Sequence, residues 1–174
     1  MTIRRYVLTG APGAGKTALI DALRERGHPV VAEAATDVIA RRHAAGLAEP
    51  WLDATFLEEI VELQCRRQQT AAGDVVFFDR SPLCTLALAH YIDCPVPDAL
   101  RAAVAEMPEI YEHQAFLVRP LGFVERTAAR RISYADSLRF GEIHEDVYRS
   151  HGFTLVDVPK APLAERLALL EKLI

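Results

Sequence analysis

The stretch from Gly10 to Thr17 places the tightest constraint on what this chain can fold into. It reads GAPGAGKT and fits the P-loop pattern G-x-x-x-x-G-K-[ST] at every defined position. An apolar, β-branched strand is predicted before it at residues 3–9, and a helix rich in good helix formers follows over 18–26. Because strand, glycine loop and helix come in this order, the sequence predicts a phosphate-binding site here.

Each residue type in this loop has a physical reason to be there. Glycines let the backbone come closer to a polyphosphate than a residue with a side chain would allow. The loop N–H groups and the helix N-terminus then form an anion nest, Lys16 is predicted to reach the β- and γ-phosphates, and Thr17 to ligate Mg²⁺. ATP and Mg²⁺ are therefore the expected cofactors, and the predicted nucleotide-binding residues are Gly10, Ala11, Pro12, Gly13, Ala14, Gly15, Lys16, Thr17 and Ala18.

Length, net charge and cysteine content indicate which class of protein contains this loop. Its 174 residues suit one domain, 1–174, and the net charge of −4 argues against a general nucleic-acid or membrane binder. Three cysteines without a C-x-x-C pair predict neither a zinc site nor a disulfide framework, so a cytoplasmic setting fits best. The chain enters its first strand at once and has no long apolar run, so we expect neither a signal peptide nor a membrane span.

Predicted strands and helices alternate along the chain. Short apolar runs predict four further strands, at 28–33, 74–80, 114–118 and 153–158. Helical spacing predicts helices at 34–45, from Asp53 to the turn at Gly73, and at 82–90, 97–107, 136–150 and 163–173. Asp53 is expected to cap its helix, and residues 64–69 are expected to face solvent. This alternation predicts a three-layer α/β fold, a five-stranded parallel sheet with helices on both faces.

Acids stand at two predicted strand ends, where ligands bind in open α/β sheets. Asp79 follows a four-residue apolar run and is predicted as the Mg²⁺ partner of Thr17; capping the helix at Pro82 is a compatible structural role. Glu33 is predicted as a general base toward a substrate hydroxyl or as a magnesium holder, its alternative being a surface acid. Arg80 is predicted to clamp a substrate phosphate or carboxylate, or else to pair with acids near Asp79.

Arginines collect in a predicted lid at about residues 120–140 of an otherwise acidic chain. Arg126 and Arg130 are four residues apart and share a helical face, with Arg131 adjacent. They would stabilise charge on the transferring phosphoryl group if the lid closes over it, and Arg130 would also contact the nucleotide. A solvated basic face is the structural alternative.

Two groups of residues receive no part in the chemistry. The six histidines are scattered, and none has metal-ligand spacing with another. Trp51 and Phe56 are interpreted as core or helix-staple residues rather than as a stacking platform for a base.

Several landmarks match a known family in the same order. They are the P-loop, VVAEAA at 30–35, FFDRS at 77–81, and the stretches 142–148 and 154–159. With these landmarks the chain resembles small P-loop proteins grouped as AAA-type ATPase domains and related to ribosylnicotinamide kinases. Deoxynucleoside and thymidylate kinases are more distantly similar.

The resemblance implies a nucleoside-kinase-like fold with a mobile lid. It implies an acceptor site between strands two and three, shaped by an insertion at about 34–72. By position, Glu33 matches the family's strand-two acid, and the family's adenine-holding backbone corresponds to Val158–Ala161, which includes Pro159 and Lys160. The pattern of the lid differs from that of the riboside kinases.

Two hypotheses about function follow. The leading one is an ATP- and Mg²⁺-dependent kinase that phosphorylates a small-molecule acceptor, nucleoside-like or another metabolite. The alternative is a nucleotide-binding switch with slow hydrolysis. The chain has no N-K-x-D motif, which argues against an ordinary GTPase, and no Asp-Glu pair after strand three, which argues against an oligomeric AAA-type machine. Expected partners are the nucleotide and the small substrate, with no nucleic acid and no membrane; a homodimer through the long helix from Asp53 is left open.

Overall fold

The computed structural model describes residues 3–122 and 132–174, and its centre is a parallel β-sheet. Its five strands are β1 Arg4–Thr9, β2 Val30–Val31, β3 Val75–Asp79, β4 Gln114–Val118 and β5 Thr154–Val158. They are ordered β2-β3-β1-β4-β5, and every pairing is parallel. The predicted five-stranded parallel α/β fold is confirmed.

Helices connect the strands, as parallel pairing requires. Within the described residues they are α1 Lys16–Glu25, α2 Ala34–Ala44, α3 Phe56–Thr70, α4 Pro82–Tyr91, α5 Asp98–Ile110, α6 Tyr134–Ser150 and α7 Leu163–Lys172, with a short 3-10 helix at Pro50–Leu52. Within residues 3–122 and 132–174, no helix combines the length and the apolar character of a membrane span.

The sheet is buried on both faces, and alternate strand residues serve opposite layers. Tyr6 and Leu8 of β1 belong to the apolar cluster that includes Leu19 of α1 and Leu167 of α7. Val7, between them, belongs to the larger cluster formed with α2 through α6. Because both faces are covered, the strands need continuous apolar runs rather than alternating ones, which is why these runs were visible in the sequence.

Two local expectations were wrong. β2 has two residues instead of the predicted six because it pairs only with β3, at the sheet edge, and the chain turns into α2 soon afterwards. Asp53 does not cap α3, which begins at Phe56. Asp53 instead accepts hydrogen bonds from the backbone N–H and the hydroxyl of Thr55, at 2.8 and 2.6 Å, and so shapes the turn before the helix.

The strand register brings the two main sequence landmarks to one edge of the sheet. Leu8 of β1 lies opposite Asp79 of β3, and the N–H of Arg80 donates to the carbonyl of Leu8 at 3.1 Å. The P-loop leaves β1 only two residues after Leu8. Asp79 and Arg80 therefore stand beside the start of the loop.

Candidate active site

The P-loop takes a backbone path that only glycine tolerates at its two ends. Gly10 has φ +127°, and a Cβ there would lie 2.5 Å from the carbonyl oxygen of Val118. Gly15, at φ +84°, is the N-cap of α1, and a Cβ there would lie 3.0 Å from the guanidinium of Arg166. The loop is thus enclosed between the end of β4 and helix α7, and it runs directly into the N-terminus of α1.

Lys16 is buried inside this loop. Its Nζ donates to the carbonyl oxygens of Gly10 at 3.1 Å and Ala11 at 2.8 Å. Burial, and next the positive charge of Arg80, lower the pKa of Lys16 to about 7 against the opposing pull of Asp79. A bound polyphosphate would supply the negative charge that favours the ammonium form.

Asp79 is a buried carboxylate at the carboxyl end of β3. Its Oδ1 is buried and has no hydrogen-bond partner in the described part of the chain. Burial, and then the neighbouring Glu33 charge, raise its pKa to about 6, with Lys16 opposing. The helix-capping alternative is wrong, since α4 begins after Ser81. A buried carboxylate oxygen without a partner is costly, so a ligand is expected there.

Thr17 and Asp79 fit a Mg²⁺ ion in chemical type. Mg²⁺ takes oxygen ligands and in phosphoryl-transfer sites uses one or two protein groups, completed by phosphates and waters. Thr17 is exposed and lines the cavity described below, while Asp79 offers the orphaned Oδ1. No cluster of three or more His, Cys, Asp or Glu that could hold a metal occurs in residues 3–122 and 132–174. A metal here would therefore depend on the nucleotide for its remaining ligands.

Glu33 and Arg80 form an ion pair across the β2–β3 edge. Nε of Arg80 lies 2.8 Å from Oε1 of Glu33, and Oε2 of Glu33 accepts from the hydroxyl of Thr36 at 3.0 Å. From α3, Arg67 donates to the carbonyl oxygens of Ala32 and Glu33 and fixes the turn into α2. Glu33 is thus a partly buried, paired acid, and the pairing alternative for Arg80 is found.

Arg80 has an uncommon backbone conformation for a residue with a side chain. Its φ is +75°, a region that costs free energy unless the surroundings hold it. Its Nη1 lies 3.0 Å from Nε2 of His144 and 3.4 Å from the carbonyl oxygen of Gly10. His144, to which sequence analysis gave no part in the chemistry, therefore contacts a residue that lines the site. His144 could have been noticed because it lies on the apolar stripe of α6, four residues after Phe140.

A cavity of about 670 Å³ opens between the P-loop and helices α2 to α4 and α6. Pro12, Thr17, Glu33 and Arg80 line its phosphate end. Farther in, its walls are mostly apolar and aromatic, with the amide of Gln64 and the hydroxyl groups of Thr85 and Tyr91, and they include Trp51, Phe56, Leu88 and Phe140. The cavity therefore joins the predicted nucleotide loop to a chamber of ligand size.

One residue of the cavity wall is less exposed than the sequence predicted. Gln64 was expected to face solvent, but it is partly buried and its Oε1 accepts from the hydroxyl of Thr85 at 3.0 Å. Phe56 is buried in the core, as predicted, and Trp51 packs against the same cluster. Both also line the cavity, so they contribute to its shape as well as to the core.

Arg166 on α7 supports the P-loop from behind and was missed in the sequence. It is 3% exposed, and its Nη2 donates to the carbonyl oxygen of Ala14 at 2.7 Å. Burial lowers its pKa from the ordinary arginine value. Position 166 lies beside Leu167 and four residues before Leu170, the two buried leucines of the helix. A charged residue beside these leucines was the available signal.

The remaining predicted residues lie at the borders of the site. Pro159 and Lys160 are exposed just after β5, and the carbonyl of Val158 accepts from the N–H of Arg119 at 3.0 Å. Their contact with adenine, and that of Ala18 with phosphate, stay predictions. The predicted lid residues Arg126, Arg130 and Arg131 lie outside the described residues.

Comparison with known families finds one match over most of the chain. The sequence model of a family described as an AAA domain matches residues 5–166. No curated protein matches the sequence.

Solved P-loop kinases share the fold. Deoxyadenosine kinase from M. mycoides, solved with dCMP and a flexible dCDP, aligns with TM-score 0.63 and 11% identity over 97% of each chain. NadR in complex with NAD and AMP-PNP aligns with TM-score 0.71 and 14% identity, over 98% of this chain but 48% of that one. Shikimate kinase from Acinetobacter baumannii with shikimate aligns with TM-score 0.59 and 12% identity, over 99% and 93%. The fold is that of the small P-loop kinases.

Proposed function

Since this chain belongs to the AAA domain family of P-loop proteins, we propose that it transfers the γ-phosphoryl group of ATP to a small-molecule acceptor. One observation carries the proposal: the cavity of about 670 Å³ touches both the P-loop and the Glu33–Arg80 pair. Its volume falls within the roughly 300–1,000 Å³ of small-ligand sites. A nucleotide switch does not need a cavity for an acceptor beside its P-loop.

The nucleotide side of the mechanism follows from the loop. The P-loop N–H groups and the α1 N-terminus would bind the phosphates, and Lys16 would exchange its bonds to loop carbonyls for bonds to phosphate oxygens. Thr17 and Asp79 would hold Mg²⁺, which when bound neutralises charge on the phosphate oxygens. Asp79 would thereby gain the partner that its buried oxygen lacks.

The acceptor side follows from the ion pair. Glu33 lines the cavity and would accept the proton of the attacking hydroxyl at a carboxylate oxygen. Arg80 would orient the acceptor or the transferred phosphoryl group with the N–H groups that Glu33 and His144 do not occupy, since a guanidinium carries five donors. Most of the rate would come from positioning and from charge neutralisation.

The chamber walls favour an acceptor with a flat or apolar ring and hydroxyl groups, nucleoside-like in chemistry. Aromatic side chains provide faces for a ring, and the Gln64–Thr85 pair provides an edge that can donate and accept. The solved kinases of this fold were captured with dCMP, with NAD and AMP-PNP, and with shikimate. These ligands support a small, hydroxyl-bearing acceptor for this chain.

We also propose that residues 1–174 form one domain with an acceptor-side insertion at about 34–72 and a lid at about 120–140. Arg126 and Arg130 would neutralise charge on the transferring group from that lid. Pairing of two copies through α3 stays a prediction, which sedimentation of the purified chain would test.

The experiment is a transfer assay with purified protein, Mg²⁺ and ATP against a panel of nucleosides, ribosides and cyclic hydroxy acids, read by mass spectrometry. We expect a phosphate ester of at least one ring-bearing compound. Replacing Leu88, which lines the chamber, by Trp should raise the KM for that compound and leave nucleotide affinity unchanged. Hydrolysis at one rate with every compound, and no ester, would overturn the proposal in favour of the switch.

A further inference from the structure

His144 is completely buried in α6 and contacts the site through one ring nitrogen. Its Nε2 lies 3.0 Å from Nη1 of Arg80, and its Nδ1 lies 2.8 Å from the carbonyl oxygen of Phe140, one turn earlier. The ring packs against that of Phe140, with centroids 4.4 Å apart, and Phe140 in turn stacks on Tyr91 at 4.6 Å. The imidazole is therefore fixed both by hydrogen bonds and by packing.

The chemistry of the two neighbours determines its protonation. A guanidinium can only donate, so Nε2 must accept; a carbonyl can only accept, so Nδ1 must carry the hydrogen. Burial, and then the positive charge of Arg80, hold the pKa of His144 well below its usual value. The ring is consequently neutral, with the hydrogen on Nδ1.

A neutral acceptor suits this position because of the charges around it. Lys16 and Arg80 lie close enough to oppose a positive imidazole, and Glu33 already supplies the negative charge that pairs with Arg80. A second carboxylate there would compete with a substrate phosphate for the same guanidinium. A neutral nitrogen orients the group without weakening its positive charge.

Arg80 needs such orientation. An arginine side chain has many rotamers and loses much of that freedom when it is fixed, and here the backbone is also left-handed. Glu33 holds Nε from the β2 side, and His144 holds Nη1 from α6. The guanidinium is thereby fixed from two sides at the point where the P-loop meets the chamber.

We propose that His144 is a positioning residue for phosphoryl transfer, whose neutral Nε2 holds the Arg80 guanidinium at the junction of the P-loop and the acceptor cavity. This inference rests on the proposed function. It gives α6, whose Phe140 already lines the cavity, a second part in the site, to which neither the P-loop motif nor the acids at the strand ends would have led.

Kinetics of His144 variants test the role. His144→Phe keeps an aromatic ring but loses the hydrogen-bond acceptor. His144→Gln can place an amide oxygen near the position that Nε2 occupies in the wild-type protein. His151→Gln, at the end of the same helix, is the control. We expect His144→Phe to lower kcat about 10- to 100-fold with nucleotide affinity changed less than about twofold, as a displaced reacting group would. His144→Gln should recover most of the loss. Equal losses in both variants at unchanged melting temperature, or a His144→Phe variant as active as the control, would overturn the proposal.

A spectroscopic measurement tests the contact apart from turnover. In long-range ¹H–¹⁵N spectra of the wild-type protein, the His144 ring should show a hydrogen on Nδ1 and none on Nε2, and Arg80→Met should shift the Nε2 resonance. A hydrogen on Nε2 in the wild-type protein would overturn the inference even if the enzyme is active. The expected tautomer in a protein that phosphorylates no acceptor would instead overturn the proposed function, and with it the catalytic purpose of the contact.

Discussion

Nε of Arg80 lies 2.8 Å from Oε1 of Glu33, in a pair that joins the ends of the two neighbouring strands β2 and β3. Both side chains are largely shielded, 11% and 23% exposed, so their attraction is screened less than that of a surface pair. The pair lines the same cavity as Pro12 and Thr17 of the P-loop. A charged pair thus stands in the same cavity as the P-loop.

Glu33→Gln should keep nucleotide binding and lose transfer. The amide cannot accept the proton of an attacking hydroxyl, and general-base catalysis contributes roughly 10²–10⁴-fold. We therefore expect kcat to fall at least about a hundredfold, measured as ester formation, with ATP affinity changed only slightly. Glu25→Gln, an exposed change on α1, is the control. Full transfer in Glu33→Gln would move the base role to Asp79.

Nucleotide binding should be accompanied by proton uptake at Lys16. In the nucleotide-free protein the pKa of Lys16 is lowered to about 7, so the amine is mostly neutral at pH 8. The negative charge of bound phosphates should restore the ammonium form. Calorimetry at pH 8 in buffers of different ionisation enthalpy should show uptake approaching one proton per nucleotide, and affinity should fall as pH rises above about 7. Lys16→Arg, which stays charged, should bind without uptake. Equal enthalpies in all buffers for the wild-type protein would contradict the lowered pKa.

Asp79→Asn should stabilise the metal-free protein most at alkaline pH. Burial raises the folded-state pKa of Asp79 to about 6 from 3.8, so folding favours the protonated form. The stability associated with that proton is present below about pH 4 and is lost as the pH rises through 6. We expect the variant to gain about 1–3 kcal/mol at pH 8 and less at pH 4.5, measured by denaturation in EDTA.

The same Asp79→Asn change should weaken nucleotide binding in Mg²⁺, because an amide is a poorer magnesium ligand than a carboxylate. Asp74→Asn, in the turn before β3, is the control. Destabilisation of the metal-free variant at pH 8 would show that the carboxylate is already satisfied within the fold.

Arg166→Met should weaken nucleotide binding without a direct change in the acceptor chamber. Its hydrogen bond to the carbonyl of Ala14 fixes the loop, and losing one such bond from a charged donor costs about 1.5–3 kcal/mol. If part of that energy appears in binding, ATP affinity should fall about fivefold or more, with the acceptor KM at saturating ATP unchanged. Lys172→Met, exposed on the same helix, should have no effect. Unchanged ATP affinity in Arg166→Met would show that the loop holds its shape alone.

The parts of this site that local sequence patterns determine were predictable. The P-loop motif depends on its own glycines, and the apolar run at 75–78 needs both sheet faces covered, so each carries its signal in adjacent residues. The parallel order of the strands then brings the residues at their carboxyl ends, Glu33 and Asp79, to one edge. Fold and strand-end acids follow from these patterns.

Contacts between elements distant in sequence were not predictable in the same way. His144 lies 64 residues after Arg80, which it contacts, and Arg166 lies 152 residues after Ala14. In the sequence, each is a polar residue among the apolar residues of a helix. In the sequence, Gln64 begins a polar run at the end of a helix, and only the packing of α4 against α3 places it beside Thr85. Asp53 was misassigned as a cap because a cap and a preceding turn use the same residue types.

The partition of cleaved ATP between ester and inorganic phosphate tests the central claim most directly. It can be followed by ³¹P NMR with and without the most active acceptor. Transfer to an acceptor held in the cavity predicts that each ADP formed is matched by one phosphate ester, and that inorganic phosphate is minor while the acceptor lasts. ADP matched by inorganic phosphate at an unchanged rate, with or without any acceptor, would contradict the account.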